Sequence, residues 1–304
     1  MNLIVGDGDL SFSLNFARGM QMRLICTVFE DDEASLVAVY PTAAENLQSL
    51  RELHPRVDVI FGVDATKIPL GLNAEIVFDR VIFNFPQTVP SERKHRKVQY
   101  QRELLENFFR ACSSPAVLTE MGIVKVALLA GQGGMDIEGS YKRPRDADSW
   151  KIVENAARAG FIVVDAPLFS ACHNPVGFRG TEESFKLEGS RYYECRRAGG
   201  VGMPQLEPPR FAFVLSFWAD DGWLSSEGKF LESVAALGEE EKIDIGLTLA
   251  EGDYIDPATG KRARKYKIDM CAGSRTALSR AKAVGLLERV KDHAVAIEGG
   301  ERRG

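Results

Sequence analysis

Leu3-Ile4-Val5-Gly6-Asp7-Gly8-Asp9-Leu10-Ser11-Phe12-Ser13 opens the chain with an apolar run, a turn of two glycines and two aspartates, and the start of a helical repeat. The run is continuous rather than alternating, as in a strand buried on both faces. Leu10, Leu14 and Ala17 then fall at i, i+4 and i+7, one face of a helix. The rhythm repeats outward. Residues 24–29 read as a second strand closing on Glu30-Asp31-Asp32, and residues 43–53 as a helix with Ala43, Leu47, Leu50 and Leu53 on one face. Strands follow at 57–61 and 78–83, a helix at 99–111, and a fifth strand at 123–129. Asp148 reads as the N-cap of a helix to residue 158, with strands at 161–164 and 191–195. Strand–helix alternation at this spacing predicts an α/β fold with a doubly wound parallel sheet over residues 1–197.

Residues 198–209 hold three Gly and three Pro and read as a linker. The pattern beyond it differs. Strands are expected at 211–218, 243–249 and 265–271, helices at 226–237 and 276–291, a turn at 256–260, and a short last strand at 294–297. This is the β-α-β-β-α-β order of a ferredoxin-like α+β domain, over residues 210–304.

Of 304 residues, 45% are apolar and 27% charged, which excludes disordered, collagen-like and disulfide-scaffold classes. No apolar run approaches the ~20 residues that span a bilayer, so no membrane partner is expected. The start of the chain carries no export or import signal, which points inside the cell, to cytoplasm or nucleolus. The five cysteines (Cys26, Cys112, Cys172, Cys195, Cys271) and four histidines are scattered without ligand spacing, so no metal is expected and a reducing compartment fits. Net charge is −5, yet it is segregated. Residues 219–256 hold two basic and eleven acidic side chains, and residues 258–291 ten basic and two acidic. Residues 91–102 hold five basic and one acidic. Local fields of this kind suit nucleic acid even in an acidic chain.

In an open α/β sheet, ligands bind beyond the carboxyl ends of the strands near the switch point. There the loop Gly6-Asp7-Gly8-Asp9 lets a ligand approach the backbone, but Ser11 replaces the third glycine of GxGxxG. Carboxylates flanking Gly8 would repel a pyrophosphate, which disfavours a nicotinamide-dependent oxidoreductase. A cationic nucleoside such as S-adenosylmethionine suits the loop better. Glu30 is placed for ribose hydroxyls, Asp64-Ala65-Thr66 for an adenine amine, and Asn84-Phe85-Pro86 for the meeting of methyl donor and acceptor.

These segments resemble the large-subunit rRNA uridine-N3 methyltransferases, S-adenosylmethionine-dependent enzymes with a Rossmann-like fold. The resemblance runs through residues 5–13, Tyr40-Pro41, Ala43-Ala44-Glu45-Asn46-Leu47, Phe61-Gly62-Val63-Asp64-Ala65-Thr66 and residues 78–86. It departs at Gln87, where the family usually has His, and matches least at 168–178. The end of the chain resembles the ferredoxin-fold anticodon-binding domain of phenylalanyl-tRNA synthetases, at residues 253–261, Tyr266-Lys267-Ile268 and Arg275-Thr276-Ala277-Leu278-Ser279.

The resemblance implies cofactor contacts from Gly6, Asp7, Gly8, Asp9, Ser11, Phe12, Glu30, Asp64, Ala65 and Asn84. It implies methyl transfer to N3 of a uridine in rRNA at Asn84, Phe85 and Pro86. Asn84 and the Phe85 carbonyl would hold the base edge, Phe85 would stack on it and Pro86 would stiffen the loop. Asp7, Asp9 or a water could take the imide proton. The expected partner is a structured RNA, rRNA or tRNA, gripped by Arg93, Lys94, Arg96 and Lys97 and by Lys261, Arg262, Arg264 and Lys265. A tRNA methyltransferase and a catalytically silent RNA-binding protein are the alternatives.

Overall fold

The computed structural model describes residues 1–68, 72, 76–88, 97–134, 149–170, 187–200, 203–219, 221–250, 254–260, 262–297 and 300–302. The chain forms two compact units, Met1–Glu207 and Pro208–Gly304. No helix among the described residues is long and apolar enough to cross a membrane.

The first unit holds a seven-stranded sheet in the order β3-β2-β1-β4-β5-β7-β6. Its strands are β1 (Asn2–Val5), β2 (Leu24–Thr27), β3 (Val57–Ile60), β4 (Phe78–Asn84), β5 (Leu118–Leu128), β6 (Phe161–Asp165) and β7 (Arg191–Arg197). Strands β1 to β5 pair in parallel, and the continuous apolar run of β1 suits its burial on both faces at the centre of the sheet. β7 runs antiparallel between β5 and β6, a reversal absent from the purely parallel sheet expected from the strand–helix rhythm. Leu3 and Val5 face one core with Phe108, Phe109 and Ile152. Ile4 faces the other with Leu14, Leu36 and Leu47.

The helices are α1 (Ser11–Gly19), α2 (Glu33–Val39), α3 (Ala43–Arg51), α4 (Lys97–Cys112) and α5 (Ile152–Arg158). α2 was not expected, because Glu30-Asp31-Asp32 reads as loop. Its signal is a capping box, in which the Asp32 carboxylate accepts from the Ser35 N–H and the Ser35 hydroxyl meets the Asp32 backbone. The chain turns from β1 to β2 and β3 on one side and from β4 to β5 on the other. The carboxyl ends of β1 and β4 therefore flank the switch point.

The second unit carries β8 (Arg210–Ala219), α6 (Asp221–Glu241), β9 (Ile243–Leu249), β10 (Tyr254–Ile255), β11 (Arg262–Ala272), α7 (Arg280–Ala296) and β12 (Gly300–Arg302). The antiparallel order is β9-β11-β8-β12, with β10 paired to the start of β11. This is the split βαβ arrangement. Residues 294–297 are not the last strand. Leu287, Val290 and Ala294 stay on the buried face of α7, so helical packing outcompetes the β-branched composition, and β12 follows it.

Candidate active site

The loop after β1 is tied to its neighbours by backbone and side chain. Gly6 has φ +63°, a left-handed conformation suited to glycine, and a Cβ there would lie 3.1 Å from the Phe83 ring. At Gly8 a Cβ would meet Tyr40 Cζ at 2.6 Å. The Asp7 N–H donates to the Thr27 carbonyl at 3.2 Å.

The two aspartates turn toward the first turn of α1. The Asp7 carboxylate accepts from the Ser13 N–H at 2.7 Å. Asp9 accepts from the Ser11 N–H at 3.1 Å and the Ser11 hydroxyl at 2.7 Å. Both satisfy orphan donors at the positive end of the helix. Burial pushes the Asp7 carboxyl up to about 6, the Asp9 charge adding to this and Ser13 opposing it.

The loop after β2 places Glu30, half-buried, beside Phe29, whose side chain is 52% exposed. The Gly62 N–H donates to the Glu30 carbonyl at 2.7 Å and Val63 to the Val28 carbonyl at 3.0 Å, which joins the loops after β2 and β3. Asp64 accepts from the Thr66 N–H at 2.8 Å and hydroxyl at 2.7 Å, and pairs with Lys67 at 3.3 Å. Burial raises the Asp64 carboxyl, but these Thr66 and Lys67 partners outweigh it and hold the group below its ordinary value.

The end of β4 is different in character. Phe85 has φ +46°, uncommon for a residue with a side chain. Its N–H donates to the Ala127 carbonyl at 2.9 Å, and its ring meets Phe169 edge-on at 4.9 Å. The Asn84 Oδ1 is buried without a hydrogen-bond partner among the described residues. Gln87 accepts through Oε1 from the Nε2 of buried Gln101 on α4, at 3.1 Å.

These loops enclose a cavity of about 440 Å³, in the usual range for a small-molecule site. Of the residues the sequence offered for the site, Gly6, Gly8, Glu30, Asp64, Ala65, Phe85 and Pro86 line it. Asp7, Asp9, Ser11, Phe12 and Asn84 are not among its lining residues; the first three are committed to the turn into α1. The carboxylates expected to face a cationic ligand thus face helix N–H groups instead. Tyr40, Gln87, Tyr100 and Glu103 also line the cavity. Tyr40 stood out in the sequence only as part of a motif. Tyr100 and Glu103 gave no local signal, since tertiary packing of α4 brings them there.

Lys97 is exposed at the start of α4, while Arg93, Lys94, Arg96 and Lys261 lie outside the described residues, as does Asp148. On β11, Arg262 and Lys265 are exposed. Arg264 is not. Alternation puts it on the Tyr266 and Ile268 face, where it pairs with Glu227 at 3.2 Å; Tyr266 bonds the same carboxylate. It is a packing partner of α6 rather than part of an exposed basic face. Among the described residues no group of three or more His, Cys, Asp or Glu is gathered to hold a metal.

A parallel sheet ordered 3-2-1-4-5-7-6 with a reversed β7, and a ligand-sized cleft at the carboxyl ends of β1 to β4, define a Rossmann-like α/β fold. The chain belongs to the BMT5-like family, rRNA (uridine-N3-)-methyltransferases, which matches residues 3–179. It is 35% identical over 196 residues to the Ferredoxin-fold anticodon-binding domain-containing protein 1 homolog of Mus musculus, covering 63% of this chain and 30% of the relative. To the Homo sapiens protein of that name it is 35% identical over 193 residues, covering 62% and 29%. The chain thus spans about 30% of the length of these relatives. Among solved structures, geranyl diphosphate C-methyltransferase from Streptomyces coelicolor A3(2), in complex with S-adenosyl-L-homocysteine, has a TM-score of 0.37 at 10% identity, covering 64% of this chain and 72% of that one. A likeness that loose carries no argument here.

Proposed function

We propose that the chain transfers a methyl group from S-adenosylmethionine to N3 of a uridine in rRNA. Support comes from the family and from the cleft at the switch point, lined by Gly6 and Gly8, by Glu30 and Asp64, and by Phe85, Pro86 and Gln87. The residues fit such a cofactor. Gly6 and Gly8 leave the floor without Cβ atoms, and Glu30 and Asp64 end adjacent strands as hydrogen-bond acceptors for a nucleoside. Gly6, Gly8, Glu30, Asp64 and Ala65 would hold S-adenosylmethionine, which when bound supplies a methyl carbon on a sulfonium.

The uracil imide presents an N–H between two carbonyls. Asn84, whose Oδ1 is buried without a partner among the described residues and which adjoins the lining residues Phe85 and Pro86, orients the base edge and leaves the N3 direction clear for the methyl carbon. The left-handed Phe85, pinned by its bond to Ala127, sets the angle of the turn, and Pro86 stiffens it. Positioning supplies most of the rate in a displacement that needs donor and acceptor in line. With Asp7 bonded to Ser13 and Asp9 to Ser11, and neither lining the cavity, removal of the N3 proton falls to water. Exposed Lys97, Arg262 and Lys265 are suited to RNA phosphates, and rRNA in nucleolus or cytoplasm is the expected substrate.

Calorimetric titration with S-adenosylhomocysteine, with NAD as control, tests the donor site. Saturable micromolar binding, absent with NAD and about tenfold weaker in Glu30→Ala, is expected. No binding of S-adenosylhomocysteine would overturn the assignment.

A further inference from the structure

Gln101 is almost wholly buried on α4, and the structure gives its amide a half-used role. Its Nε2 donates to Gln87 Oε1, while its own Oε1 is buried without a partner among the described residues. A buried orphan acceptor costs stability, so an apolar side chain would pack better here. What the amide does accomplish is to fix its neighbour. Gln87 follows Pro86 and lines the cleft. With Oε1 accepting from Gln101, the orientation of the Gln87 amide is set, and its Nε2 carries two N–H donors for anything the cleft receives.

We infer that Gln87, held by the positioning residue Gln101, reads the acceptor base by donating to one of its ring carbonyls. This rests on the proposed methyl transfer to uridine and extends it to base choice. A uracil offers a carbonyl oxygen on each side of N3, so a fixed donor beside the Asn84 turn matches it. A cytosine keeps the carbonyl at position 2 but offers an amine at position 4, so a donor at that edge would face a second donor. Sites built to hydrogen-bond a substrate group reject the analogue that lacks it far more strongly than apolar pockets do. Asn84 and Gln87 are complementary in this reading, the first orienting the base edge and the second donating to a flanking carbonyl.

The test compares wild type, Gln87→Glu, Gln87→Met and Gln101→Met. Each is assayed for S-adenosylhomocysteine affinity by calorimetry, for thermal midpoint, and for label transfer from methyl-tritiated S-adenosylmethionine to purified rRNA, with nucleoside analysis of the product. Gln87→Glu still accepts from Gln101 but carries no donor. Both Gln87 variants are expected to keep their melting midpoint and to bind S-adenosylhomocysteine within about threefold of wild type, while transfer to uridine falls about ten- to a hundredfold. Gln101→Met is expected to lose about three- to tenfold of transfer and to be at least as stable as wild type. Transfer by Gln87→Glu within twofold of wild type overturns the inference and leaves the methyltransferase reading standing. Absence of 3-methyluridine from the wild-type reaction overturns both.

Discussion

The two walls of the cleft treat their polar groups in opposite ways. On the wall built by the loops after β1 and β3, the carboxylates have partners: lining Asp64 takes Thr66 and Lys67, and Asp7 and Asp9, next in sequence to the lining residues Gly6 and Gly8, take Ser13 and Ser11. On the wall built by the end of β4 and by α4, Asn84 Oδ1 and Gln101 Oε1, next in sequence to the lining residues Phe85 and Tyr100, are buried without one among the described residues. The first wall is finished before any ligand arrives. The second holds open hydrogen-bonding capacity and backbone strain, which concentrate where function requires them. Substitutions on the first wall should therefore act on stability and cofactor affinity, whereas on the second they should act on turnover.

The largest effect on the finished wall is expected at Gly8. In Gly8→Ala the new Cβ meets the Tyr40 ring at 2.6 Å, and overpacking of this kind costs about 2 kcal/mol. Chemical denaturation should show that loss together with loss of S-adenosylhomocysteine binding. Asp64→Ala removes the Thr66 cap, with an expected loss of about 1 kcal/mol and roughly tenfold in S-adenosylhomocysteine affinity. A stable Asp64→Ala with normal binding would erase the contrast between the walls.

Asp7 sharpens the contrast through pH. Its carboxyl is raised from 3.8 to about 6 in the folded state, so the folded protein holds more protons than the unfolded one between those values. Stability from this group is full below pH 3.8 and falls as pH rises through 6. Asp7→Asn should remove that slope and gain about 1 kcal/mol at pH 7, discounted for partial solvent access and for the Ser13 bond. Urea denaturation at pH 4 and pH 7 measures the difference. The smallest effect belongs to the second unit. Lys265→Ala on the exposed face of β11 should change stability by less than about 0.5 kcal/mol, and should lower the salt dependence of RNA binding by about one charge if that face meets phosphate.

Much of this arrangement was legible in the sequence because strand ends are. Once the runs at 3–5, 24–29, 57–61 and 78–83 are placed in a parallel sheet, Glu30, Asp64 and Asn84 must lie at one edge, and the structure puts them there. The orientation of Asp7 and Asp9 was not legible. A carboxylate at the start of a helix can face a ligand or the helix's own N–H groups, and only the coordinates of α1 choose the latter. Arg264 was misjudged for a related reason. Counting charge along β11 ignores that alternate residues point to opposite faces, and Glu227 on α6 captures the one that points inward. Gln101 carried no signal, because its role depends on α4 packing beneath the Pro86–Gln87 turn.

The central claim, a finished donor wall facing an open acceptor wall, is tested most directly at Asn84. Wild type and Asn84→Leu should be compared for S-adenosylhomocysteine affinity and for label transfer to rRNA, with nucleoside analysis of the product. The account predicts 3-methyluridine from the wild type. In Asn84→Leu it predicts unchanged S-adenosylhomocysteine affinity and transfer reduced at least about a hundredfold. Undiminished transfer, or loss of cofactor affinity and transfer together, would contradict it.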